Sequence, residues 1–221
     1  MKFAREGYPF ITIGLILTVS TWSVTETVTE LKSIPAISLT ILTVLVAWFF
    51  RDPDRTPPPG EGMAIAPADG KIVAISQIDE PFFFGNRCQR ITIFLNIFNV
   101  HVQRAPMAGK VIHKKYTNGA FLAAWNDNAS ERNEQSSLGI STRYGNVMVR
   151  QIAGLIARRI VTYPHLDTYL EPGERIGLIR FGSRVDLFIP THWKIKCAVG
   201  DKSVAGSTVL AKATPTHPAN T

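Results

Sequence analysis

The sequence predicts a mainly β protein: a compact antiparallel β domain, barrel-like or sandwich-like, preceded by an N-terminal membrane hairpin of two helices. Three observations carry this. Two stretches near the start, 8–24 and 33–50, hold no charged residue, a proline-rich segment follows them, and from Met63 onward short apolar runs alternate with Gly, Pro and Asn. Short runs bounded by turn formers are the pattern of an antiparallel β fold. A chain of 221 residues suffices for one sizeable domain with an appendage, and 45% hydrophobic residues with a mean hydropathy of +0.08 is apolar for a fully soluble protein.

Each uncharged stretch would be roughly 26 Å long as a helix at 1.5 Å per residue, the short end of a membrane span. Neither has the polar face of a water-soluble helix, and Trp22, Trp48, Phe49 and Phe50 lie near the ends, where interfacial anchors sit. Lys2 and Arg5 precede the first stretch, Arg51 and Arg55 follow the second, and Glu26, Glu30 and Lys32 fall between them. This bias places both outer ends, and the domain that follows, on the cytoplasmic side of the cell membrane. No small-residue cleavage site ends the first stretch, so a removed signal peptide is not expected. Residues 1–50 are thus the hairpin.

Pro53, Pro57, Pro58 and Pro59 make 51–62 a stiff linker, because consecutive prolines favour extended geometry. The β domain spans 63–212, with strands expected at 72–78, 90–95, 100–102, 110–116, 146–152, 158–162, 177–181, 185–189, 194–199 and 208–211. Residues 120–134 read as a loop or short helix, and 213–221 as a flexible tail. Net charge is +7 with a pI near 9.6, which suits nucleic acid or an anionic membrane surface. The basic residues are not gathered into a run with interleaved stacking aromatics, so the membrane is expected and nucleic acid is not. Cys88 and Cys197 lie in strand-like text without metal or redox spacing, and read as buried free thiols. The histidines have no metal-site spacing either, so no metal is expected.

The text that most needs explaining is Arg180-Phe181-Gly182-Ser183-Arg184, where a Gly-Ser pair interrupts an apolar strand between arginines. Taken alone, glycine in a strand marks a bulge, a bend or a close approach. Asp69-Gly70 alone reads as a turn, and His101 in an apolar strand as a packed core histidine. Residues 174–190 nevertheless resemble the self-cleavage segment of the short form of phosphatidylserine decarboxylase, the archaetidylserine decarboxylase-like type, a pyruvoyl family. Phe50-Arg51-Asp52-Pro53, Pro67-Ala68-Asp69-Gly70-Lys71, Phe98-Asn99-Val100-His101-Val102, Arg104-Ala105-Pro106, Gly119-Ala120-Phe121, Ser130-Glu131-Arg132-Asn133-Glu134 and Gln151-Ile152-Ala153-Gly154 are similar to that family in the same order.

The resemblance implies a proenzyme in which Asp69, His101 and Ser183 carry out self-cleavage between Gly182 and Ser183. The products would be a β chain of 1–182 and an α chain of 183–221 that stay together, with homo-oligomerisation left open. Ser183 would become a covalent pyruvoyl group, the pyruvate cofactor, which forms a Schiff base with the amine of a phospholipid serine headgroup. Arg104, Arg180 and Arg184 are candidate clamps for its carboxylate or phosphate, since guanidinium pairs such oxygens bidentately. Arg180 and Arg184 equally suit a solvated strand face. The headgroup chemistry is common to ester-linked and archaeal ether-linked lipids, so the resemblance fixes the headgroup and not the backbone. Longer members resemble His-x-x-His-x-Pro where this chain has His101-Val102-Gln103-Arg104-Ala105-Pro106. Arginine stays protonated and cannot act as a base. Either His101 serves both steps, or Arg104 holds an anion and another group moves the proton.

Gly206-Ser207, without flanking arginines, reads as a hairpin turn. Two rival readings are weighed against the enzyme: a membrane-tethered carrier of the lipoyl or biotinyl type, suggested by the turns at 69–72 and 200–202, and a membrane serine peptidase. A modified lysine would mark the first, and an intact chain that cleaves others the second.

Overall fold

The computed structural model describes residues 2–25, 33–119, 133–154, 159–180 and 183–214. It divides into two compact units, Met1–Asp54 and Arg55–Thr221. The first holds a 3-10 turn, Arg5–Gly7, and helices α1 (Tyr8–Thr25) and α2 (Ser33–Phe49). Gly14 lies against Thr43, whose hydroxyl meets that of Thr18 at 3.1 Å, and the Trp22 indole donates to Thr40 Oγ1 at 3.1 Å. These polar rungs join two helices that otherwise expose Leu, Ile and Val. The segment Arg5–Val24 is long and apolar enough to cross a membrane, whereas α2 is a shorter apolar helix. Trp22 and Trp48 are exposed, as expected of anchors, but Phe49 and Phe50 are buried. Phe50 stacks on Phe10 with ring centroids 5.6 Å apart, and Gly7 leaves room for it, so these phenylalanines close the base of the hairpin.

The second unit is mainly β: β1 (Met63–Ile65), β2 (Gly70–Glu80), β3 (Asn86–Leu95), β4 (Val102–Arg104), β5 (Gly109–Thr117), β6 (Gln135–Thr142), β7 (Gly145–Ala153), β8 (Ile160–Thr162), β9 (Tyr169–Leu170), β10 (Arg175–Ile179), β11 (Ser183–Pro190), β12 (Lys194–Ile195), β13 (Lys202–Ser203) and β14 (Val209–Lys212). Eight strands form one curled antiparallel sheet in the order β13-β2-β3-β11-β7-β6-β5-β9, beside two three-stranded sheets, β1-β14-β12 and β4-β10-β8. Alternation decides the faces. Ile91, Ile93 and Leu95 of β3, Val185, Leu187 and Ile189 of β11, and Val147 and Val149 of β7 point to one side and build the main core. The other side carries Thr92, Arg184, Asp186, Phe188 and Arg150, in part covered by the β2–β3 loop, where Cys88, Met148 and Phe188 form a smaller cluster with Phe83 and Phe84. Strand β11 is therefore buried on both faces except at Pro190.

Strand β6 falls where the sequence predicts none. Its text, Gln135-Ser136-Ser137-Leu138-Gly139-Ile140-Ser141-Thr142, has two apolar side chains, and it is held instead by full pairing with β5 and β7 and by hydroxyl contacts. Ser136 Oγ meets Thr162 Oγ1 at 2.8 Å, and Ser137 Oγ accepts from Arg150 Nε at 3.0 Å. Only 194–195 of the expected strand at 194–199 forms, as β12. Gly206 makes a turn at φ +76, but not a hairpin: β13 pairs with β2, and β14 with β1 and β12. Beyond the proline run the chain joins this unit, since Ala213 N–H donates to the Gly62 carbonyl at 2.7 Å. The expected loop or helix at 120–134 lies outside the described residues except for Asn133 and Glu134, as does 215–221 of the tail and the connector bearing Glu26, Glu30 and Lys32.

Candidate active site

Strand register brings two of the predicted residues, Ser183 and Asp69, to one end of the large sheet. Ser183, the first residue of β11, pairs with Leu95, the last of β3, and with Ala153, the last of β7. Strand β2 begins at this same end, because Lys71 pairs with Phe94. Asp69 precedes β2, and residues 96–101 lead from Leu95 to His101. Gly70 starts its strand so close to β3 that a Cβ there would fall inside contact distance of the Phe94 carbonyl oxygen. Close approach, more than a turn, requires this glycine.

Ser183 is fully buried, and its Oγ has no hydrogen-bond partner among the described residues. Leaving a buried hydroxyl unsatisfied costs about 1–3 kcal/mol, so such a group calls for a functional explanation. His101 is also fully buried, and its Nδ1 lies 2.9 Å from the Asn99 carbonyl oxygen. A carbonyl only accepts, so Nδ1 carries the proton there and Nε2 is the basic nitrogen of the neutral ring. Strand β4 pairs Val102 with Leu178 of β10; continued by one residue, this pairing sets His101 level with Ile179, four residues before Ser183.

Asp69 is 8% exposed, and its carboxylate accepts from the Ala205 N–H at 2.8 Å and from Arg55 Nη2 at 3.1 Å. Arg55 is the residue the sequence reading missed: it counted as a flanking charge of the hairpin, and no local pattern links it to Asp69. Arg104 is 4% exposed and donates from Nη1 to the Gly173 carbonyl at 2.9 Å. Arg55 and Arg104 flank Gly206, where a Cβ would lie 3.2 Å from Arg55 Cβ and 2.9 Å from Arg104 Cδ. The turn at 206 thus borders two arginine side chains, which its bare Gly-Ser sequence does not suggest.

Arg180 is half-buried, with its N–H donating to the Arg159 carbonyl at 3.2 Å. Arg184 does not lie on a solvated face: it is buried and forms a bidentate pair with Asp186, at 2.8 Å from Nε and 2.9 Å from Nη2. The reason is the double burial of β11. Gly182 lies outside the described residues. Beneath the site a buried network links three strands: Gln151 Nε2 donates to Gln103 Oε1 at 2.9 Å, and Thr162 Oγ1 donates to Gln151 Oε1 at 2.7 Å. Among the described residues, no three His, Cys, Asp or Glu side chains come together as a metal site.

These features define an antiparallel β domain with a serine buried at a strand end, an ion-paired aspartate at the same sheet end, and a buried histidine just before β4 of the neighbouring sheet. The phosphatidylserine decarboxylase family model matches residues 42–211. The chain is similar to the phosphatidylserine decarboxylase proenzymes of Symbiobacterium thermophilum, at 42% identity over 95% of this chain and 94% of that one, and of Geobacter sulfurreducens, at 44% over 94% of each. It is similar also to that of Azorhizobium caulinodans, at 46% over 94% of this chain and 87% of that one. The chain belongs to the phosphatidylserine decarboxylase family, a family of carboxy-lyases.

Proposed function

We propose that this chain converts phosphatidylserine to phosphatidylethanolamine with a pyruvoyl group made from its own Ser183. The observation that carries the reading is the buried Ser183 Oγ at the head of β11, which has no hydrogen-bond partner among the described residues. A hydroxyl with no hydrogen-bond partner among the described residues fits a nucleophile that attacks its own preceding peptide bond. His101 Nε2 takes the proton from Ser183 Oγ, and the oxygen attacks the Gly182 carbonyl carbon; the Gly182–Ser183 C–N bond then breaks as its nitrogen takes that proton back, leaving an ester and a free amine on residue 183. Loss of the Ser183 α-proton then breaks the Cβ–Oγ bond and frees residues 1–182 as a carboxylate. The dehydroalanine left at position 183 takes up water and loses ammonia. Asp69, whose carboxylate accepts from Arg55 and from the Ala205 amide, favours the imidazolium that forms on His101.

The pyruvoyl group supplies an electron sink for the electrons left behind by carbon dioxide. Around it, Arg104 and Arg180 offer guanidinium donors to a headgroup carboxylate or phosphate, while Arg184 acts through Asp186 to hold β11. With Arg in place of the second histidine, His101 serves both proton steps. The helical hairpin spans the membrane with the β unit on the cytoplasmic side, which keeps the enzyme where a diacyl substrate is concentrated. The test is release of phosphatidylethanolamine from phosphatidylserine in mixed micelles. Wild type should turn over and Ser183→Ala should not; a wild type inactive on this lipid would overturn the reading.

A further inference from the structure

A second site lies away from the reactive end. The β2–β3 loop folds back over the sheet and covers a cleft of about 420 Å³ lined by Glu80, Phe82, Arg90, Lys115 and Arg150 among others. Arg90 pairs in register with Phe188, five residues along β11 from Ser183, or about 17 Å at about 3.4 Å per residue. Alternation also puts Arg90 on the face opposite to Ser183. This cleft is thus no extension of the candidate active site.

Its donors lack acceptors. Arg90 Nε is buried and has no hydrogen-bond partner among the described residues. Ser76, directly opposite Arg90 on β2, does not line the cleft and supplies Arg90 with no hydrogen bond. Glu80 does not serve Arg90: Oε1 accepts from Arg150 Nη2 at 3.1 Å, and Oε2 from the N–H groups of Phe83 at 2.7 Å and Phe84 at 3.2 Å. With Glu80 and Arg150 neutralising each other, Asp79 is the one exposed carboxylate among the described residues lining the cleft beside Arg90 and Lys115. Lys115 Nζ stands 4.6 Å from the centroid of the Phe82 ring, itself 75% exposed at the edge of the cleft.

We infer that this cleft binds a phosphate group. Donors arrive from the sheet floor, Arg90, and from the side, Lys115. A non-coplanar set suits a tetrahedral oxyanion better than a flat carboxylate. The same chemistry is offered by free phosphate and by a phospholipid headgroup, and the exposed Phe82 ring beside a lysine is the kind of edge that meets a lipid interface.

The test is the thermal midpoint of the full-length protein in detergent, read by tryptophan fluorescence. Inorganic phosphate and glycerophosphoglycerol are titrated separately against chloride of equal ionic strength. At a hundredfold excess over the dissociation constant a bound anion raises the midpoint by about 5 °C or more. Loss of that shift in Arg90→Gln and in Lys115→Gln supports the site, and Lys115 is exposed enough that its variant keeps the fold. A larger shift with the phosphodiester identifies a lipid headgroup, and a larger shift with inorganic phosphate identifies the free ion. No shift beyond chloride, or a shift that survives in both variants, overturns the inference. None of these readouts depends on catalysis.

Discussion

Arg55 and Asp69 form the contact at this sheet end from which the most follows at the scale of single residues. Their 3.1 Å pair is partly buried, with side chains 21% and 12% exposed, and the second oxygen of Asp69 is held by a backbone amide. Arg55→Gln keeps hydrogen bonding but removes the charge. We expect self-cleavage to slow about tenfold to a hundredfold, as for loss of a group supporting general base catalysis, with partial recovery in Arg55→Lys. Band intensities of the two chains over time on a denaturing gel measure this. Equal rates would give Arg55 no part in the chemistry. The thiols make a second residue-scale case. Burial pushes Cys88 and Cys197 up from the ordinary 9.0 to about 11, with Glu80 adding to the shift at Cys88 and Asp201 at Cys197. A folded value above the unfolded one means that the protonated thiols stabilise the fold fully below pH 9. That contribution is lost as pH rises from about 9 through about 11. Urea midpoints at pH 8 and 10.5 should fall in that order, and replacing both cysteines by serine should flatten the difference.

At the scale of the element, β11 depends on a charge pair that its sequence disguises. Arg184 and Asp186 side chains are 8% and 1% exposed, so either one left alone would be a buried, uncompensated charge. Arg184→Ala should destabilise by about 3–5 kcal/mol, whereas joint replacement of Arg184 by Met and Asp186 by Leu should cost far less. Denaturant unfolding of the single and double variants decides it, and equal losses would contradict the pairing. In the sequence, Arg184-Val185-Asp186-Leu187 alternates charge with apolar residues and reads as one wet face. What covers that face is the β2–β3 loop and neighbouring strands distant in the chain. Strand β6 was illegible for the converse reason. Its burial is satisfied by hydroxyls from β8 and by Arg150, so periodicity of apolar residues has nothing to detect. Strands β2, β3, β5 and β7 were legible because Val and Ile alternate along a single core face.

At the scale of the whole molecule, the two uncharged stretches emerge as α1 and α2 within a residue of their expected ends, since hydrophobic length is a local property. The placing of Ser183 and Asp69 at one sheet end is not local. The sequence suggested it through motif resemblance, strand register supplies the shared end of Ser183 and Asp69, and the Asp69 partner Arg55 and the Gln103–Gln151–Thr162 network come only from the fold. If the hairpin spans the bilayer, a cysteine placed at Thr29 should react with an impermeant maleimide from outside intact cells, and one at Lys202 only after lysis. Labelling of both from the same side would contradict spanning. The claim on which the account turns is that Ser183 becomes a chain terminus. Intact mass of the purified wild type beside Ser183→Ala tests it most directly. The account predicts two wild-type chains, the smaller running from 183 to 221 with a blocked pyruvoyl end, and one uncleaved chain in the variant. A single full-length chain in folded wild type would contradict it.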